Sequence, residues 1–242
     1  MENDIFAPMK DKTRIRKVLG SVGYTVSCLI ISALLVIAVG VLLRTIRFET
    51  SSLKRISLHN NLLLGFVGVA VFFIMLLIPR FRNNFQWLMK FTHEFTHLIF
   101  ALLFFRKISR FKVDKDESYV SYSNGWLGYF TITLSPYCVP IFTLAMLPWR
   151  FTTDVSSEVF LAVIDFLIGL TYAFHICCWV KQTRLHQTDI IGPGIIRSLL
   201  ILATVHILNF CLIIMTPSSG VIIAIKRVFY LFPSAFIGQI LG

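Results

Sequence analysis

Long stretches without a charged residue constrain the fold of this chain more than any other feature. The stretch from Tyr24 to Leu43 contains no charged side chain and follows a basic segment. A helix rises 1.5 Å per residue, so a stretch of about 20 residues crosses the roughly 30 Å of hydrocarbon in a bilayer. Because a signal-peptide core has only about 7 to 15 apolar residues, we expect an uncleaved membrane helix here.

Further apolar stretches of similar length follow along the chain. They are Leu62 to Ile78, Phe85 to Phe105, Gly125 to Leu147, Val159 to Val180 and Leu199 to Met215. The sequence therefore predicts an all-α polytopic membrane protein with about six transmembrane helices. We expect an integral, multi-pass location, in the inner or plasma membrane if the protein is bacterial.

The same pattern divides the chain into four segments. We expect a basic N-terminal segment over 1–22 and two transmembrane helices over 23–84. A membrane core follows over 85–215, and an apolar or amphipathic segment ends the chain over 216–242. The last segment contains Lys226, Arg227 and Pro233, which favour an interfacial or re-entrant helix over a further crossing.

Composition supports the membrane interpretation. Hydrophobic residues make up 56% of the chain and charged residues 14%, whereas soluble domains have about 25% charged residues. The net charge of +11 is explained by basic residues beside membrane helices, so we expect the lipid bilayer and no nucleic acid as a partner. The five cysteines form no CxxC pair, which argues against a disulfide framework or a thiolate zinc site.

One connecting segment, from Lys107 to Ser123, has the pattern of a β-hairpin. Two stretches rich in β-formers, Phe111 to Val113 and Tyr119 to Tyr122, flank the polar turn Asp114 to Glu117. Alternating β-branched and aromatic residues around a polar turn are typical of paired strands. We expect a small hairpin, whose edge is a candidate site for binding an unwound substrate segment.

Three polar side chains interrupt the third apolar stretch. His93, Glu94 and His97 form the pattern HExxH within FTHEFTH. On a helix, residues i and i+4 lie on one face, so both imidazoles can bind one divalent metal beside the carboxylate. Two histidines and one carboxylate suit a single Zn²⁺ with an open position for water. Glu94 is then placed to act as general base.

At these residues the chain resembles the M50 family, the intramembrane zinc metallopeptidases of the site-2 protease type. The resemblance extends roughly over Phe85 to Asn209. It rests on HEFTH, on the hairpin that follows it and on the proline-bearing apolar run SPYCVP. It implies a zinc ion within the membrane, bound by His93, His97 and an Asp from a later helix, with Glu94 as general base. It also implies a metallopeptidase-like core over 85–215.

The third ligand has three candidates, because the chain has no clear copy of the aspartate motif of that family. Asp189 in HQTDIIGPG is the preferred one, since it follows the fifth apolar stretch and lies beside glycines that allow close backbone approach. Asp165 in VIDFLIG and His175 in YAFHICC are the alternatives. Substrate-binding residues are not identified by the sequence.

We therefore predict a membrane-embedded zinc metallopeptidase that hydrolyses a peptide bond in or near a membrane span. Its partner would be a membrane protein or peptide substrate. The alternative is a non-catalytic membrane protein, such as a transporter or assembly factor, that uses intramembrane His and Asp side chains as a relay. A zinc protein that acts on a small or lipidic substrate is a third hypothesis.

Overall fold

The computed structural model describes residues 7–53, 61–114, 117–123, 125, 127–150, 158–219, 224–226, 228 and 230. Within them the fold is mainly helical. In chain order the helices and strands are α1 (Ala7–Leu53), α2 (Asn61–Leu77), α3 (Pro79–Leu103), β1 (Ile108–Val113), β2 (Ser118–Tyr122), α4 (Tyr129–Cys138), α5 (Ile141–Met146), a 3-10 turn (Leu147–Arg150), α6 (Glu158–Gln182), α7 (Thr188–Ile191) and α8 (Ile195–Ser219).

Three of the described helices are long and apolar enough to cross a membrane. They are Gly20–Arg47 within α1, Glu158–Gln182 and Ile195–Thr216. The number rises to five if each of two bent helix pairs counts as one span. The predicted number of six is therefore not confirmed. The second and third apolar stretches belong to a single pair, α2 and α3, bent by 107°.

Pro79 explains the bend between α2 and α3. It is the first residue of α3, where its missing N–H costs nothing, and it holds Ile78 in an extended conformation. Edge-to-face aromatic contacts fill the corner, where the rings of Phe85 and Phe174 lie 5.5 Å apart and Phe72 contacts both. The site-bearing α3 is thereby fixed against α2 and α6.

Glycines allow the close packing of α2 against α6. A Cβ atom placed on Gly169 would lie 1.9 Å from the backbone oxygen of Gly65. One placed on Gly68 would lie 2.1 Å from the backbone oxygen of Phe166. At such distances no side chain fits, so the two backbones meet directly, as small residues permit in membrane helix pairs.

Helices α1 and α8 extend across boundaries between the predicted segments. α1 begins at Ala7, so the basic segment and the first span form one continuous helix, which packs on α8. α8 extends to Ser219. Most of the C-terminal segment predicted as interfacial or re-entrant lies outside the described residues.

The predicted hairpin is confirmed as a two-stranded antiparallel sheet. Its register pairs Ile108 with Tyr122 and Val113 with Ser118. Phe105 ends the helix before it with a left-handed φ of 55°, and the N–H of Arg106 closes the turn onto the carbonyl of Ala101. The hairpin therefore starts directly at the end of α3 and packs back against it.

Candidate metal centre

The amphipathic helix α3 presents the histidine pair on one face. The imidazole rings of His93 and His97 lie 4.9 Å apart. Stacked aromatic rings follow the opposite side of the helix, with Trp87, Phe91 and Phe95 spaced at four-residue intervals and centroids 5.3 to 5.4 Å apart. This division orients α3 so that its polar face points to the protein interior, while Phe91 on the aromatic side contacts Phe111 of β1.

A carboxylate from α7 meets this histidine pair. Oδ2 of Asp189 lies 3.5 Å from Nε2 of His93 and 3.5 Å from Nε2 of His97. Among the described residues these three form a group whose ligand atoms all lie within 4.8 Å of one another. The preferred sequence candidate for the third ligand is thus beside the two histidines, although it comes from a helix much later in the chain.

The two alternative candidates for the third ligand lie elsewhere. Asp165 is fully buried and forms a bidentate ion pair with Arg150, with Nε to Oδ1 at 2.8 Å and Nη2 to Oδ2 at 2.6 Å. Arg150 thus engages both oxygens of this carboxylate, and Asp165 is not part of the three-residue group. His175 is buried on α6 and is not part of the three-residue group.

The orientation of His97 is set by a backbone carbonyl. Its Nδ1–H donates to the carbonyl oxygen of Ile132 at 2.8 Å, which leaves Nε2 facing Asp189. That carbonyl is available because Pro136, four residues later in α4, has no N–H to donate to it. The side chain of Ser135 also donates to this oxygen. A metal-binding histidine needs such a partner on its other ring nitrogen.

The orientation of Asp189 is set by a tyrosine on the same helix as that carbonyl. The hydroxyl of Tyr137 lies 3.2 Å from Oδ2 of Asp189 and 3.0 Å from Oε1 of Gln187. Its buried ring lies edge-on to the ring of His93, with centroids 5.1 Å apart. Tyr137 thus contacts both a histidine and the carboxylate.

The histidines also control the ionisation of Asp189. Burial by itself would raise the pKa of this carboxyl, but hydrogen bonding and charge from His93 and His97 lower it by more, so the net pKa falls below its ordinary value. The charged form of the carboxylate is therefore favoured beside the two histidines. The charge of Asp189 also acts on Tyr122 of the hairpin strand β2. Burial raises the pKa of the Tyr122 hydroxyl, and the negative charge of Asp189 raises it further.

Glu94 lines a polar cleft beside the same three residues. The cleft has a volume of about 360 Å³, and Glu94 itself is buried to 9% exposure. The cleft wall also includes polar and basic side chains of α3, β2 and the segment around α7: Lys90, Ser118, Lys181, Gln182, Arg184, Gln187 and Thr188. A polar cleft of this size can hold water beside Glu94.

The distances from the carboxylate to the two histidines fit tetrahedral zinc. Ligand atoms at 2.0 to 2.1 Å from the ion would lie about 3.3 Å from one another, close to the observed 3.5 Å from each histidine to Asp189. Two nitrogens and one oxygen are a donor set that zinc accepts, with a fourth position left for water or substrate. The residues present could therefore hold one zinc ion.

Two contributors to the site were missed by the sequence reasoning. Tyr137 was passed over because an aromatic residue in an apolar run is usually part of the core. The carbonyl of Ile132 has no side-chain signal at all. Its position could have been inferred from Pro136, since a proline within a helix always leaves the carbonyl four residues earlier without its helical partner.

Comparison with known proteins supports the same family. The family model described as Peptidase M50B-like matches residues 66–237, which include the histidine pair, Asp189 and most of the membrane helices. Searches of curated proteins and of solved structures gave no match. M50 peptidases are in general zinc-dependent. Since the match covers well over half of the sequence, the chain belongs to the Peptidase M50B-like family of membrane metallopeptidases.

Proposed function

We propose that this protein is a multi-pass, membrane-embedded zinc metallopeptidase that hydrolyses a peptide bond in or near a membrane span. The observation that carries the proposal is the convergence of His93, His97 and Asp189 around one point, with Glu94 on the wall of the adjoining cleft. Membership of the M50B-like family supports the proposal, because it suggests a membrane metallopeptidase.

In this proposal the protein residues have separate roles. His93, His97 and Asp189 hold the ion, which when bound supplies a Lewis acid and acidifies a water molecule in its open position. Glu94 takes the proton of the attacking water and then delivers it to the leaving amine. Ile132 and Tyr137 orient two of the ligands through the hydrogen bonds given above.

We propose that the hairpin binds the unwound segment of the substrate. A transmembrane helix hides its peptide bonds in internal hydrogen bonds, so a segment must unwind before it is cleaved. Ser118, the first residue of β2, lines the cleft. The N–H of Asp114 donates to the carbonyl of Glu117, and the alternation of an antiparallel ladder then directs the N–H of Val120 away from β1. That edge is available for an added strand.

Metal analysis and point variants test the catalytic proposal. The purified protein should contain about one zinc per chain. We expect Glu94→Gln to retain zinc and lose turnover of a transmembrane peptide substrate, and His93→Ala to lose both. His186→Ala, which removes a histidine from an exposed loop, is the matched control and should change neither.

Two results would overturn the proposal. Full activity of Glu94→Gln would exclude Glu94 as general base. A purified protein without zinc would instead favour the non-catalytic alternative, a transporter or assembly factor. For the hairpin, Val120→Pro should lower cleavage of the same peptide at least tenfold with zinc retained, whereas Val120→Ala should not. Equal cleavage by both variants would exclude the strand-edge role.

A further inference from the structure

His93 has a second ring nitrogen that the metal site does not use. Its Nε2 faces Asp189 at 3.5 Å, so Nδ1 points to the other side of the ring. This Nδ1 is buried and has no hydrogen-bond partner among the described residues. His97, by contrast, has the carbonyl of Ile132 in that position. The two histidines are therefore oriented by different means.

A small cavity lies behind His93, between α3, α4, α5 and α6. Its walls include His93, Pro136, Thr171, His175 and Gln182. The space open to the centre of a water molecule is about 10 Å³, which corresponds to a single buried water. Such a water needs two or more polar partners, and this wall supplies polar side chains from two helices.

His175 lines the same cavity and also has a buried ring nitrogen that lacks a partner in the described structure. It lies on α6 with 5% of its surface exposed. Its Nε2 is buried and, like Nδ1 of His93, has no partner within the described part of the chain. Two histidines that line one water-sized cavity thus each have a buried nitrogen without a described partner, and a single water that bridges the two nitrogens would satisfy both.

We propose that His175 positions the metal ligand His93 through one buried water, an inference that rests on the proposed zinc site. With Nε2 of His93 on the metal, its Nδ1 carries the proton and donates to the water. The water donates to Nε2 of His175, which accepts as a neutral imidazole. His175 is thus a positioning residue behind the metal centre, in place of the ligand role considered from the sequence.

Metal affinity is the readout that tests this role. Competition with a chelator of known affinity should show that His175→Leu binds Zn²⁺ about 10- to 100-fold more weakly, the usual effect of losing an outer partner of a ligand. The visible absorption of the Co²⁺-substituted protein should shift in the same variant. His175→Gln should recover most of the affinity, since its amide oxygen can accept from the water.

Thr204→Val is the control. Thr204 is buried on α8, its hydroxyl donates to the carbonyl of Leu200, and it does not line the cavity. This variant should bind Zn²⁺ within threefold of the parent. If His175→Leu is not recovered folded, His175→Phe retains a ring of similar outline and should show the same loss.

Two outcomes overturn the inference in distinguishable ways. A parent protein that binds zinc tightly, together with a His175→Leu or His175→Phe variant within threefold of it, would exclude the positioning role alone. A parent protein that binds no zinc would overturn this inference together with the proposed function.

Discussion

Pro136 and His97 are linked through a single carbonyl oxygen. Because Pro136 has no N–H, the carbonyl of Ile132 keeps a lone pair that the helix would otherwise use, and Nδ1 of His97 donates to it at 2.8 Å. The other lone pair accepts from the hydroxyl of Ser135. The helical hydrogen bond that α4 lacks at Pro136 thereby leaves an acceptor that orients His97 on α3.

Restoring the helical N–H should weaken the site. In Pro136→Ala the new N–H competes for the carbonyl of Ile132, so His97 loses its fixed orientation. We expect zinc affinity to fall about tenfold, as for other outer partners of metal ligands, while helix content is retained. Chelator competition measures this. Pro148→Ala, in the 3-10 turn after α5, is the control, and an equal loss there would argue against the mechanism.

Removing one hydroxyl should have a similar effect on Asp189. Tyr137→Phe keeps the buried ring beside His93 but removes the hydrogen bond to the carboxylate. We expect zinc to bind about 10-fold more weakly, with little change in thermal stability. Tyr129→Phe, on the exposed end of the same helix, should leave zinc affinity unchanged. Unaltered affinity in Tyr137→Phe would mean that Asp189 needs no support from the tyrosine.

The pair Arg150 and Asp165 should matter for stability and not for metal binding. Removing one partner leaves a buried charge, so Asp165→Asn or Arg150→Met should cost about 3 to 5 kcal/mol in the free energy of unfolding. The double variant Arg150→Met with Asp165→Leu should recover much of that loss. Thermal unfolding in detergent measures it. Zinc affinity of the folded double variant should match the parent, and a loss of zinc would return Asp165 to the list of ligands.

The contact between α2 and α6 gives a steric prediction. The Cβ atom of any side chain at Gly169 would lie 1.9 Å from the backbone oxygen of Gly65. Unlike a flexible side chain, this backbone atom cannot move aside by rotating about a side-chain bond. Gly169→Ala should lower the free energy of unfolding by about 1 to 3 kcal/mol, and Gly169→Val should prevent recovery of folded protein. Gly23→Ala is the control, since nothing lies within 4 Å of a Cβ there. An equal fall in stability in both alanine variants would contradict the packing argument.

The sequence predicted the local features well. The histidine pair, the hairpin and the apolar helices follow from spacing and hydropathy, which depend on neighbouring residues. The sharp turn at Pro79 was harder to predict, because apolar stretches show length but not whether two of them share one crossing. The choice among Asp189, Asp165 and His175 needed tertiary packing, since the chain has no clear copy of the aspartate motif of the family and only the fold brings Asp189 to the histidines.

The order of the ligands along the chain has a consequence for synthesis. His93 and His97 lie on α3, whereas Asp189 follows after the hairpin, α4, α5 and α6. A nascent chain that has emerged only as far as the hairpin presents two histidines and no carboxylate to close the set. In the proposed zinc site, tight uptake would have to wait until α6 has packed against the glycines of α2 and Asp189 has reached the histidines. The proposed site would then be complete only after most of the chain has been synthesised.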